Sequence, residues 1–188
     1  MTQARTLADF VAGSGGLVHL ATTEATSGSA ITFNSSLIDV TSYERYVFYG
    51  TFLPASDGTN LHFRFLDSSD AVISTSSAYR EMHSSSATLT SRDYIAIFDN
   101  TGSAENGEFG SIFTSFCHLK HVGNADLQAC ITSTSFRANS ANAGITTTSG
   151  GILRFGVVSG QPAGFTFFPA TGDFARCKIQ VFGVSSSA

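Results

Sequence analysis

The chain has 188 residues, of which 42% are hydrophobic and 13% charged, with a net charge of −4. That length supports one self-sufficient core without disulfide or metal staples, while the charged share is about half the ordinary one. The 10 Lys and Arg are scattered singly, which excludes a phosphate-binding stripe for nucleic acid; no apolar run approaches a membrane helix, and MTQARTLADF lacks the basic-then-apolar order of a signal peptide.

Synthesis and folding in a cytoplasm are therefore expected. Ser, Thr, Gly and Ala stand where Lys and Glu usually sit, and short side chains lose little entropy when ordered against a neighbour. The first element is a short helix: Leu7, Phe10 and Val11 fall at i, i+3, i+4, and Thr6 with Asp9 resembles a capping box. Gly13, Gly15 and Gly16 then end it. A helix so short must dock. Residues 1–16 are thus read as a docking segment carried by Leu7, Phe10 and Val11, and 17–188 as the body.

From Leu17 onward the signals are those of strands. Tyr43–Leu53 alternates, with Tyr46, Phe48 and Phe52 on one face. Asp57-Gly58 supplies a tight turn, after which Leu61, Phe63 and Phe65 alternate with outward His62 and Arg64, predicting a hairpin. Ala71–Met82 and Tyr94–Phe98 read as two more strands. Glu108–Val122 sets Phe109, Phe113 and Cys117 against Ile112 and Phe116, and Leu127–Phe136 follows it. Leu153–Val158 alternates, and Arg176–Val184 sets Cys177, Ile179 and Val181 against Lys178, Gln180 and Phe182. Ser84–Ser91 and Ala138–Gly151 are polar and Gly-rich and read as surface loops. About nine short strands without helical periodicity predict an all-β fold, an antiparallel two-sheet β-sandwich, jelly-roll-like, with the short N-terminal helix ahead of it.

Two strands, 108–122 and 176–184, carry apolar residues on both faces, where a sandwich strand needs one. Ile112, Phe116 and Phe182 are the residues this singles out. Either a loop or the N-terminal helix covers the second face, or it is a subunit interface.

Chemical motifs are sparse. The sequence has no G-x-S-x-G elbow, no H-E-x-x-H, no Walker loop and no G-x-G-x-x-G after a strand, and neither an enzymatic activity nor a cofactor is expected. Cys117, Cys130 and Cys177 lack the close pair of a thiolate metal site and read as small buried hydrophobes in a reducing compartment. His118 and His121, three apart on a strand, point to opposite faces and make a poor ligand pair. Asp57, Asp67 and Asp70 offer oxygen ligands without a calcium-loop spacing, and Asp in a turn ordinarily caps its own backbone. Tyr43, Tyr49 and Tyr79, if exposed, could stack on a sugar.

The segment ITFNSSLIDVTSYERYVFYGTFLPASDGTNLHFRFLD, then SSAYREMHSSS, and the closing GGILRFGVVSG and KIQVFGVSS together resemble a recurrent module of virion structural and tail fibre proteins of marine tailed bacteriophages. The likeness covers roughly residues 28 to 186 and is one of strands and turns. It implies a jelly-roll-like domain in a tail fibre, tail-associated protein or capsid decoration, usually oligomeric and commonly trimeric, and it carries over no catalytic residue. The chain is expected to be complete, which departs from a full-length fibre and suits a small accessory protein. On this resemblance the expected location is the virion and the expected partners are capsid or tail proteins, further copies of the chain and possible host-surface glycans, with no nucleic acid and no membrane.

Overall fold

In the computed structural model the described residues are 16–39, 42–56, 58–83, 90–101, 110–120, 127–138, 144–153 and 162–185, and at 44, 82, 83, 90, 185 and between 98 and 148 the description is of the strand backbone alone. The expected N-terminal helix, with Leu7, Phe10 and Val11, lies outside the described residues. Among those described every regular element is a strand: β1 (Leu17–Ala25), β2 (Ile31–Phe33), β3 (Tyr43–Pro54), β4 (Thr59–Leu66), β5 (Tyr79–His83), β6 (Thr90–Arg92), β7 (Ile95–Thr101), β8 (Gly110–Lys120), β9 (Leu127–Ala138), β10 (Gly144–Leu153), β11 (Gly164–Pro169) and β12 (Phe174–Ser185). They pair antiparallel into an eight-stranded sheet, order β1-β12-β3-β8-β9-β10-β5-β6, and a four-stranded sheet, order β2-β11-β4-β7.

The alternation on β3 and β4 follows the predicted faces, yet the two strands do not form the expected hairpin. β3 pairs with β12 and β8, whereas β4 pairs with β11 and β7. Residues 55–58 therefore carry the chain from one sheet to the other. Gly58 takes φ +67 there, and the Ala55 N–H donates to the Asp173 carbonyl at 2.9 Å. Period-two alternation names the buried face of a strand but not its hydrogen-bonded neighbour.

Other boundaries differ as well. The expected strand over Ala71–Met82 is broken: Val72 makes one isolated bridge to Leu66, and Asp70 and Ser77 adopt left-handed φ of 63° and 68° before β5 begins. Most of the expected loop over Ala138–Gly151 is strand β10, paired on one side with β9 and on the other with β5. Its Thr146–Thr148 run is β-branched and suits a pleated surface, although its polarity imitates a loop. The Gly164–Pro169 strand has no predicted counterpart, because Pro162, Gly164 and Pro169 punctuate an almost continuous apolar run. It lies inside the small sheet between β2 and β4. A Cβ at Gly164 would come within 2.4 Å of the Phe33 carbonyl oxygen, so glycine lets β11 approach β2.

The facing sides of the two sheets share one core. Phe48 from the large sheet meets the small sheet's Phe165 at 4.6 Å between ring centroids, Phe167 at 5.6 Å and Phe63 at 6.4 Å. Tyr46, Phe52, Leu61, Phe65, Tyr79, Ile95, Ile97, Phe174, Cys177, Ile179 and Val181 complete it, all essentially sealed from water.

Polar side chains of the large sheet finish the backbone pairing of the small one. The Tyr79 hydroxyl accepts the Phe65 N–H at 2.9 Å and donates to the Ile73 carbonyl at 2.8 Å. The buried Glu81 carboxylate accepts the Ala96 N–H at 2.8 Å, and the Ser149 hydroxyl donates to the Ile97 carbonyl at 3.0 Å. Since β7 is an edge strand among the described residues, the Glu81 and Ser149 bonds satisfy peptide groups that no described fifth strand meets. Replacing Phe48 by Ala is expected to cost about 3–5 kcal/mol and Tyr79→Phe about 1–3 kcal/mol, both read from urea unfolding. A Tyr79→Phe variant as stable as the parent would show that the hydroxyl bridge contributes nothing.

Candidate functional site

The outward side of the small sheet carries a compact cluster. His62 stacks on Tyr94 at 3.7 Å and 10° and meets Phe168 edge-on at 5.4 Å. Arg64 lies over the Phe168 ring at 4.7 Å, donates from Nε to the Asp93 carbonyl at 2.8 Å, and pairs with the Asp93 carboxylate. Arg92 lies 5.9 Å from the Tyr94 centroid. His62, predicted outward, is on that outward side but is buried beneath these neighbours. A cation or His62 lies against each ring, and the cluster ties residues 93 and 94 to β4.

The outward side of the large sheet is different. There β1, β12 and β3 set Leu17 opposite Val184, His19 opposite Phe182, and Phe182 opposite Val47. His19 meets Phe182 edge-on at 5.3 Å, and Phe182 meets Tyr49 at 5.7 Å. Val47, in register with Phe182, is only 5% exposed although it stands outside the core cluster. Tyr49 and Leu17 are 42% and 46% exposed. An apolar centre thus opens to solvent between two polar ends. Arg45 marks one end, and the other is Glu24 with Arg176 at 2.8 Å and Lys178 at 3.8 Å. Arg176 and Lys178 hold the Glu24 carboxyl below its usual range, Arg176 through a hydrogen bond first and its charge second.

The residues singled out from sequence are distributed as follows. Phe182 is central to this face. Ile112 and Phe116 lie on β8 in register with Gly50 and Tyr46, whereas Phe113 is in register with Tyr49. The ring of Tyr46 is in the core, so β8's two candidates stand in core-side rows and Phe182 does not. Tyr49 is exposed on the outward side, its ring edge-on to Phe182. Tyr79 is fully buried, its hydroxyl engaged and its pKa raised by burial. Tyr43 is half-buried, meets Tyr46 edge-on at 5.9 Å, and occupies the space over Gly183 that a Cβ there would need. Leu17, His19 and Val47 were not singled out, although the outward apolar pair Val47 and Tyr49 in YVFY carried the signal.

Asp67 is a turn cap. One carboxylate oxygen accepts from the Ser69 N–H at 2.8 Å, the Ser69 hydroxyl at 2.7 Å and the Ala71 N–H at 3.0 Å. The Ser69 hydroxyl and N–H, then the Ala71 N–H, hold its carboxyl below the usual range. Asp70 accepts the Ser35 N–H instead. Asp57 and His121 lie outside the described residues, and His118 is in β8 opposite Ala129. Among the described residues no three His, Cys, Asp or Glu side chains are grouped to hold a metal ion. Cys177 is buried in the core, and burial pushes its thiol up to about 12. A thiol held protonated at neutral pH is a poor nucleophile.

Set against known proteins, the chain matches no family model, and no curated protein shows significant similarity to it.

Because Asp67's bonds are made to its own turn, millimolar calcium or chelator is expected to leave the melting temperature unchanged. Asp67→Ala should lower it at neutral pH and converge on the parent in acid. The lowered carboxyl pKa contributes stability above its unfolded value and loses it as pH falls through the folded one. Calcium-dependent stabilisation that disappears in Asp67→Ala would contradict the capping role.

Proposed function

We propose that this chain is a non-enzymatic structural protein of the exterior of a tailed-phage particle, a capsid decoration or tail accessory protein. Its two sheets form a jelly-roll-like sandwich that is the body of the protein, and partner proteins of the capsid or tail meet its outer surfaces. The observation that supports this most is the apolar face of β1, β12 and β3. Among the described residues Leu17, Val18, Tyr49 and Val72 are the exposed large hydrophobics, and two of those four, Leu17 and Tyr49, lie on this face. An apolar centre with a charged rim has the anatomy of a protein interface. A trimer of the chain, using Phe182 at its centre, is the assembly this reading favours, and the low surface charge adds little repulsion to it.

The exposed Tyr49 favours a second reading, a glycan-binding adhesion module in which Tyr49 and Phe182 stack on sugar rings. The two readings use one face and separate experimentally. Light scattering on the eluting chain should give three times the chain mass, and Leu17→Ser/Tyr49→Ser should reduce it to one without changing the circular dichroism. A parent that stays monomeric at tens of micromolar and does not co-sediment with phage particles would defeat the structural reading. Glycan-array binding lost in a folded Tyr49→Ala variant would establish the second.

A further inference from the structure

The sequence separates its three cysteines widely, but the fold treats them unequally. Cys177 on β12 is sealed in the core. Cys117 on β8 and Cys130 on β9 are direct register partners in the antiparallel ladder, between the pairs Phe116–Ile131 and His118–Ala129. Directly opposed residues of such a ladder have Cα atoms about 4.5–5.5 Å apart, and disulfides span Cα separations of about 4.4–6.8 Å. The odd cysteine count thus divides into one buried thiol and one cross-strand pair.

We propose that Cys117 and Cys130 form a reversible disulfide that staples the β8–β9 pair once the protein meets an oxidising environment. The oxidant is a small-molecule disulfide. One cysteine thiolate attacks it, forming a mixed disulfide and releasing one small thiol. The second cysteine thiolate then attacks the protein sulfur of that mixed disulfide, and a second small thiol leaves. Two protein thiols become one protein disulfide, and the two electrons reduce the small disulfide to two thiols. A disulfide closed across two neighbouring strands exchanges with small thiols through the same mixed disulfide. It opens in a reducing cytoplasm and closes outside it. The inference stands on the β8–β9 register and does not require the phage assignment.

The test is to incubate the native chain with oxidised or with reduced glutathione, quench in acid, unfold, alkylate and digest with trypsin without reduction. Cleavage after Arg92, Lys120 and Arg137 places Cys117 on peptide 93–120 and Cys130 on peptide 121–137, while Cys177 falls on the dipeptide 177–178. The oxidised sample should show 93–120 joined to 121–137 and one alkylatable thiol, and the reduced sample three. Brief treatment of the oxidised sample with reduced glutathione should restore three. Three thiols in the oxidised sample, stable glutathione adducts without a cross-link, a link to Cys177, or a link between two chains would each overturn the proposal. A Cys177→Ala variant should keep the cross-link and Cys130→Ser should lose it; the peptide map of the parent decides the matter should either variant fail to fold.

Discussion

Everything in this structure depends on Phe48 interlocking with the phenylalanines of the opposite sheet. Its ring is received by Phe165, Phe167 and Phe63 in mostly edge-to-face contacts, a geometry that satisfies the ring quadrupoles as well as the burial. Those partners come from β4 and β11, neither of which is hydrogen-bonded to β3. Side-chain packing alone holds the two sheets together at that point, so the volume and angle of each ring matter more than at an ordinary core position. The reliance on phenylalanine, 17 in a chain with no tryptophan, is the compositional trace of this arrangement.

The second constraint is the unequal width of the sheets. Eight strands face four, so β7 ends the small sheet over the interior of the large one and leaves peptide groups unpaired beneath the surface. An unpaired buried peptide group costs as much as a lost hydrogen bond. Glu81 and Ser149, both buried, answer that cost by bonding to Ala96 and Ile97 from the strands below. Tyr79 does the same for Phe65, where β7 no longer runs alongside β4. Polar residues that would be anomalies in a symmetric core are here its boundary.

Outside that boundary the two outward faces behave in opposite ways. On the small sheet, arginines cover the aromatic rings and Asp93 anchors Arg64, which closes the surface. On the large sheet, Tyr49 and Leu17 remain exposed at the ends of an apolar row that runs through Val47 and Phe182. That contrast, and not any catalytic grouping, is what directs the functional proposal to β1, β12 and β3.

Alternation along the chain determined a good deal by itself. It identified the all-β class, the inward faces of β3, β4 and β12, and Phe182 as apolar on an outward face, because side-chain direction in a strand depends only on local pleating. It misjudged β10 and passed over β11, where Thr, Gly and Pro imitate loop chemistry and only pairing on both sides reveals a strand. It could not separate Tyr49 from Tyr79, since exposure belongs to what packs above a residue. Nor could it distinguish a hairpin from a passage between sheets at residues 55–58, or bring Cys117 to Cys130. Those depend on strand order and register, which long-range hydrogen bonds and the Phe48 contacts decide together, and no local pattern encodes them.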